Sequence, residues 1–269
     1  PRPRSSVVFA GRAALPAHPG SCPDAGSYPD PMVQFRPLRL RDLAALLLAG
    51  LAGACASAPP PEPSVKPGIN QDYLDPALDV EAMVQRFEVE SREIYVARAE
   101  IAAAVALQPG EAVADVGAGT GLFLEPFAQA VGPAGRLYCV EIAPRFVAHL
   151  TERAEGLGLS QVEAVLCSER SVELPERSID VAFLCDTYHH FEYPRSTLAS
   201  IRRALRPGGR LVLIDFERIP GVSRPWLLEH VRAGREQVLA EVESAGFVLE
   251  RQVEIPGLIE NYCLRFVRP

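Results

Sequence analysis

Three groups of residues in this 269-residue chain have types and spacings suited to chemistry. The first is a glycine-dense turn, Gly117, Gly119 and Gly121, with Ala118 and Thr120 between them and Asp115 two residues ahead. A short apolar run leads into it and an apolar, helix-compatible run leads out. That strand–turn–helix layout brings bare backbone close to a small ligand, and an acid beside the turn can hold a ligand ammonium group. The second is Glu141, 24 residues after Gly117 at the end of the next expected strand. It is placed to accept from both hydroxyls of a ribose, as an acid about 20 residues on does in dinucleotide folds. The third is the run Cys185-Asp186-Thr187-Tyr188-His189-His190. Histidine has the side-chain pKa nearest neutrality and suits taking a proton from a nucleophile. Adjacent histidines cannot both face one ligand in a regular element, so at most one of His189 and His190 is expected to be a catalytic base. The other packs on the sheet or anchors the next helix.

The glycine spacing narrows the ligand. A dinucleotide fingerprint needs its third glycine at position 122, where Leu122 stands. With no pyrophosphate to hold, the turn fits an adenosyl amino acid and points to S-adenosylmethionine. An NAD-dependent oxidoreductase is the weaker alternative. No metal site is expected: the six cysteines, at 22, 55, 139, 167, 185 and 263, form no C-x-x-C pair and no zinc-like Cys/His spacing. Cys139, Cys167, Cys185 and Cys263 lie in apolar runs and are expected to be reduced and buried.

Positioning these groups falls to an alternation of strands and helices. Helical spacing of apolar residues is found at 80–87 and 91–107, the second stopped by Pro109-Gly110. Strands are expected at 112–116, 136–141, 162–167, 179–185 and 210–216, with helices at 122–131, 144–157, 193–205 and 234–245. Two last strands, 247–253 and 262–267, follow without a helix between them, as in an antiparallel hairpin. The pattern predicts a doubly wound α/β fold with a mostly parallel sheet.

Charge and composition bound the rest. Residues 1–66 carry seven basic and four acidic side chains, the remainder 20 basic and 30 acidic. So acidic a body is a poor nucleic-acid binder, because that affinity depends on clustered cations. Residues 1–31 lack any period and are expected to be disordered or outside the mature protein. From Met32, the arginines at 36, 39 and 41 precede an apolar run, Leu43–Ala54, too short to span a bilayer comfortably. With the finish Leu51-Ala52-Gly53-Ala54-Cys55, residues 32–55 resemble a bacterial lipoprotein signal. Membrane attachment is then expected only through a lipidated Cys55, and export to the periplasm or an anchored state is expected. A cytoplasmic location is the alternative, since S-adenosylmethionine is made there. Residues 56–68 read as a proline-rich linker, 69–107 as a helical lid, and 108–269 as the main domain.

From about residue 80 onward, roughly 70% of the chain resembles a class I S-adenosylmethionine-dependent methyltransferase of the small-molecule kind. The resemblance rests on the glycine turn with Asp115, on Glu141, on the strand exit at 185–191, and on Pro207-Gly208-Gly209-Arg210. It implies a Rossmann-like seven-strand sheet with an antiparallel last strand. It also implies Ile142 on the adenine face and Ser168 or Glu169 at the adenine amino group, where the family more often has Asp directly after the strand. Cys185 and Asp186 would line the methionine end, with Tyr188, Asp215 and His230 toward the acceptor. The activity implied is methyl transfer to a small-molecule nucleophile. The alternative from a different class is a non-catalytic adenosyl-ligand-binding lipoprotein.

Overall fold

The computed structural model describes residues 61–89 and 92–269. The segments read above as a disordered start and a lipoprotein signal, and the first part of the linker, lie outside the described residues.

The body is a seven-stranded sheet with helices on both faces. In chain order the helices α1 (Val80–Phe87), α2 (Glu93–Val96) and α3 (Arg98–Val105) precede β1 (Ala112–Val116). There follow α4 (Leu124–Val131), β2 (Arg136–Glu141), α5 (Pro144–Gly156), β3 (Val162–Leu166) and β4 (Ile179–Cys185). A 3₁₀ turn (Tyr188–His190), α6 (Pro194–Ala204), β5 (Leu205–Phe216), α7 (Pro225–His230), α8 (Arg235–Ser244), β6 (Val248–Gln252) and β7 (Asn261–Val267) complete it. Strand order is β3-β2-β1-β4-β5-β7-β6. The pairs β3–β2, β2–β1, β1–β4 and β4–β5 are parallel, whereas β7 runs antiparallel to both β5 and β6. The expected Rossmann-like sheet is therefore present, with β7 inserted between β5 and β6.

Alternation along the strands builds two cores. Ala112, Ala114 and Val116 face one side, with Leu211, Leu213, Leu264 and Phe266, under α6 and α8. Val113, Cys139, Val181, Phe183 and Ile214 face the other, under α3, α4 and α5. All five residues of β1 are buried, which is why a parallel strand reads as a continuous apolar run. Local signals set the helix ends. Asp79 caps α1 by accepting from the Ala82 N–H at 3.1 Å, and α5, α6 and α7 each open on proline in the first turn.

Two expectations change. The single helix over 91–107 is two pieces broken at Ala97 (ψ 12°) and ended at Ala106 in the left-handed region (φ 55°). The described part of the expected linker, 61–68, is tied to the body at several points. The Val65 N–H donates to the Glu192 carbonyl at 2.9 Å, and the Gly68 N–H to Glu192 Oε1 at 2.6 Å. Glu62 accepts from the Arg195 and Ser196 N–H groups at 2.9 and 2.7 Å, capping α6 from 133 positions away.

Candidate active site

Parallel strands all end at the same edge of the sheet, where doubly wound folds bind ligands. Asp115, Glu141, Cys185 and Asp215 all sit at that edge. Because β7 is antiparallel, its first residue, Asn261, starts there too. A cavity of about 480 Å³ opens over the edge.

The glycine turn makes the floor. Gly117 has φ +78°, and a Cβ on it would lie 2.3 Å from Thr187 Cγ2, so only glycine fits. Gly119 (φ +55°) differs: a Cβ there would meet only the Gly117 carbonyl, at 4.0 Å, and the space above it is the cavity. Gly121 and Ala118 do not line the cavity, contrary to expectation. A Cβ on Gly121 would lie 2.9 Å from Leu150 Cδ2, and Ala118 is buried in the core beside Leu124 and Leu150, so both serve helix–sheet packing.

Glu141 is buried and fully engaged in shaping the turn. Oε2 accepts from the Gly119 N–H at 2.9 Å, and Oε1 from the Ile142 and Ala143 N–H groups at 2.8 and 3.1 Å. A carboxylate has about four acceptor positions. One therefore remains, on Oε2, so as placed Glu141 can take one ribose hydroxyl and not both. Burial raises its pKa, opposed by those three backbone bonds. Asp115 is 3% exposed, and burial first, then the Glu141 charge, pushes its pKa up to about 7.

Segments ahead of β1 wall the cavity with Asn70, Tyr73, Arg86, Phe87 and Arg92. Glu88, just past α1, accepts from Thr120 Oγ1 at 2.8 Å, and Arg153 reaches both Glu88 Oε1 (3.4 Å) and the Thr120 carbonyl (3.0 Å). Arg92 donates to Asp186 Oδ2 at 2.6 Å and Asn261 Nδ2 to Asp186 Oδ1 at 2.6 Å. Asp186 adopts φ +51°, a strained conformation for a residue with a Cβ. Burial raises its pKa to about 6, with Arg92 pulling the other way. No sequence pattern marked Arg92 or Asn261 as partners of Asp186, since they are 94 and 75 residues away along the chain.

At the opposite end stand three histidines. His189 is 3% exposed; its N–H donates to Asp215 Oδ2 at 3.0 Å, and its Nδ1 lies 2.8 Å from Asp215 Oδ1. Asp215 also accepts from the Phe216 N–H at 2.8 Å. Nδ1 therefore carries a proton, which it donates to the Asp215 carboxylate. His230, at the end of α7, brings Nε2 to 3.4 Å from His190 Nε2 and stacks on Trp226 with ring centroids 5.2 Å apart. Burial first and neighbouring His189 second depress His190 to about 2 and His230 to about 4, so both rings are neutral near pH 7.

The remaining expected residues divide. Ile142, Ser168, Glu169, Cys185 and Asp186 line the cavity. Tyr188 does not: it is fully buried, donates to Glu241 Oε2 at 2.6 Å and lies under the Arg232 guanidinium, 5.1 Å from its ring centroid. Asp215 does not line the cavity either; it stands behind His189.

A family model described as a methyltransferase domain matches residues 114–213. An uncharacterized 37.1 kDa protein of a Streptomyces fradiae transposon is 38% identical over 106 residues, 39% of this chain and 30% of that protein. A ubiquinone/menaquinone biosynthesis C-methyltransferase of Burkholderia mallei is 28% identical over 113 residues, 42% of this chain and 46% of that protein. The chain thus matches less than half the length of either relative. The structure of an S-adenosylmethionine-dependent methyltransferase from Aquifex aeolicus superposes with TM-score 0.62 at 25% identity, over 71% of this chain and 99% of that one. Residues 114–213 thus match a methyltransferase domain, and the sheet around them has the fold of an S-adenosylmethionine-dependent methyltransferase.

Proposed function

We propose that this protein transfers the methyl group of S-adenosylmethionine to a small-molecule nucleophile by in-line displacement. One observation carries the reading. The glycine turn with Glu141 and the cluster of His189, His190 and His230 line a single cavity, so donor and acceptor sites are contiguous.

The bound sulfonium supplies a reactive methyl group; the chain supplies binding and alignment. Asp115, two residues ahead of the turn and lining the cavity, is the acid for the cofactor's ammonium group. Glu141 offers its last acceptor position to one ribose hydroxyl, Ile142 offers an apolar face for adenine, and Ser168 or Glu169 an acceptor for the adenine amino group. Cys185 and Asp186 border the methionine end. At the far end, His189, held by Asp215 through Nδ1, turns its Nε2 toward the place where the acceptor's nucleophile must be prepared. The acidic body supports a small molecule over nucleic acid as acceptor.

Isothermal titration with S-adenosylmethionine and its demethylated product tests the first half, and product release with a panel of small thiols, phenols and amines tests the second. Binding of neither ligand ends this reading. Binding without turnover on any of them would favour a non-catalytic adenosyl-binding protein.

The basic residues ahead of Leu43–Ala54 and the Cys55 that follows support export and lipid attachment as part of the same reading. Mass spectrometry of the Cys55 peptide from membranes would find a thioether-linked diacylglycerol; an unmodified Cys55 in a soluble fraction overturns it.

A further inference from the structure

Three imidazoles meeting at one point exceed what a single general base requires. The ligating nitrogens of His189, His190 and His230 all lie within 4.8 Å of one another. The 3.4 Å between the Nε2 atoms of His190 and His230 matches a tetrahedral zinc edge, about 3.3–3.4 Å for Zn–N bonds of about 2.0–2.1 Å. We propose that this cluster is a three-histidine site for a divalent transition-metal ion, zinc being the best fit, with its fourth position open to the cavity.

Each histidine is held for that task by a different element. Behind His189, Asp215 occupies Nδ1 and aims Nε2 outward, the carboxylate–histidine arrangement that orients metal ligands. His230 is set by stacking on Trp226 and by Lys66, whose ammonium group caps α7 at the Glu229 and His230 carbonyls (3.0 and 2.5 Å). His190 meets Tyr73 edge-on at 5.3 Å, and its Nδ1 is buried with no hydrogen-bond partner, so no other protein group dictates which nitrogen it offers. Phe216 and Trp226 complete an aromatic wall. The donor set is all nitrogen, which suits zinc and its first-row neighbours and not magnesium or calcium.

Such an ion would decide the acceptor class, a step that rests on the methyl-transfer reading above. Three neutral ligands leave the full double charge on the metal, which favours an anionic fourth ligand. The acceptor is then a thiol, phenol or enol that loses its proton to solvent on binding. A lone pair of its oxygen or sulfur forms the new bond to the methyl carbon as the S–CH₃ bond breaks. The bonding pair stays on sulfur, the sulfonium becomes a neutral thioether, and no redox partner takes part.

The test uses the full chain, stripped with chelator and desalted after incubation with Zn²⁺, with metal counted by elemental analysis and Co²⁺ loading followed by visible d–d absorption. One equivalent of zinc and a tetrahedral cobalt spectrum are expected. His230→Phe, which keeps the stack on Trp226, and His189→Ala should each lose most of the metal, while His149→Gln, a change on α5 outside the cavity lining, retains it. Asp215→Asn should weaken metal affinity by about 10–100-fold. Binding of the demethylated cofactor by the variants reports that they are folded. The proposal is overturned if the stripped wild type takes up none of Zn²⁺, Co²⁺, Ni²⁺, Fe²⁺ or Mn²⁺, or if His230→Phe binds as much as wild type. Metal binding without methyl transfer would instead remove the proposed function and leave the site standing.

Discussion

Asp115 ties cofactor binding to pH. Its pKa is raised to about 7 by burial and by Glu141, so the empty protein keeps its proton where the unfolded chain has lost it. The stability this confers is complete below the unfolded carboxylate range near pH 4 and is lost as pH rises through about 7. A ligand ammonium beside Asp115 favours the charged form, so binding expels the proton. S-adenosylmethionine should therefore bind more tightly at pH 8 than at pH 6. Calorimetry in buffers of different ionisation enthalpy should show proton release that disappears in Asp115→Asn. The two glycines separate in the same way. Gly117→Ala meets Thr187 and a left-handed φ, and should lose about 2–4 kcal/mol. Gly119→Ala pays only for its φ, about 1 kcal/mol, but its methyl enters the cavity and should weaken cofactor binding at least about tenfold. Thermal melts beside titrations distinguish the two.

Among the elements, the stretch ahead of β1 does two separable jobs. Glu62 caps α6 and does not itself line the cavity, so Glu62→Ala should cost about 1 kcal/mol, a fall in Tm of about 2–4 °C, with cofactor affinity unchanged. Residues 69–88 instead supply Tyr73 and Phe87 to the cavity wall, while Leu78 packs on Ala143 and Phe146. Deleting 69–88 should weaken binding of S-adenosylmethionine by more than about tenfold, or about 1.4 kcal/mol; unchanged affinity would remove the lid role. These jobs were only half legible. Apolar spacing located α1, because an amphipathic helix shows itself in its own residues. The capping by Glu62 did not show, since the proline-rich stretch around it reads as a spacer and its partners are on α6. The six-residue α7 also went unread: it is too short to display a period, yet it carries His230.

For the whole molecule, the cavity is closed by contacts between distant parts: Glu88 to Thr120, Arg92 to Asp186, and Tyr73 to His190. A ligand that fills it should bind the stretch from 61 to 107 to the sheet edge. Limited proteolysis within that stretch should be slowed by the demethylated cofactor, and equal cleavage with and without it would count against this coupling.

What the amino-acid sequence determined by itself was the sheet and the place of the glycine turn and Glu141 at its edge. Parallel strands buried on both faces are continuous apolar runs, and the glycines and Glu141 belong to neighbouring turns whose spacing is local. Tertiary structure alone decided the histidine cluster. His189 and His190 are adjacent, but His230 reaches them across 40 positions, and Asp215 turns from the cavity to His189 because β5 ends beside the exit of β4. Tyr188 went the other way, into the core against Glu241 and Arg232. Side-chain direction at a strand exit depends on the turn that follows and on the helices packed over it, and neither is written in the spacing of the residues themselves.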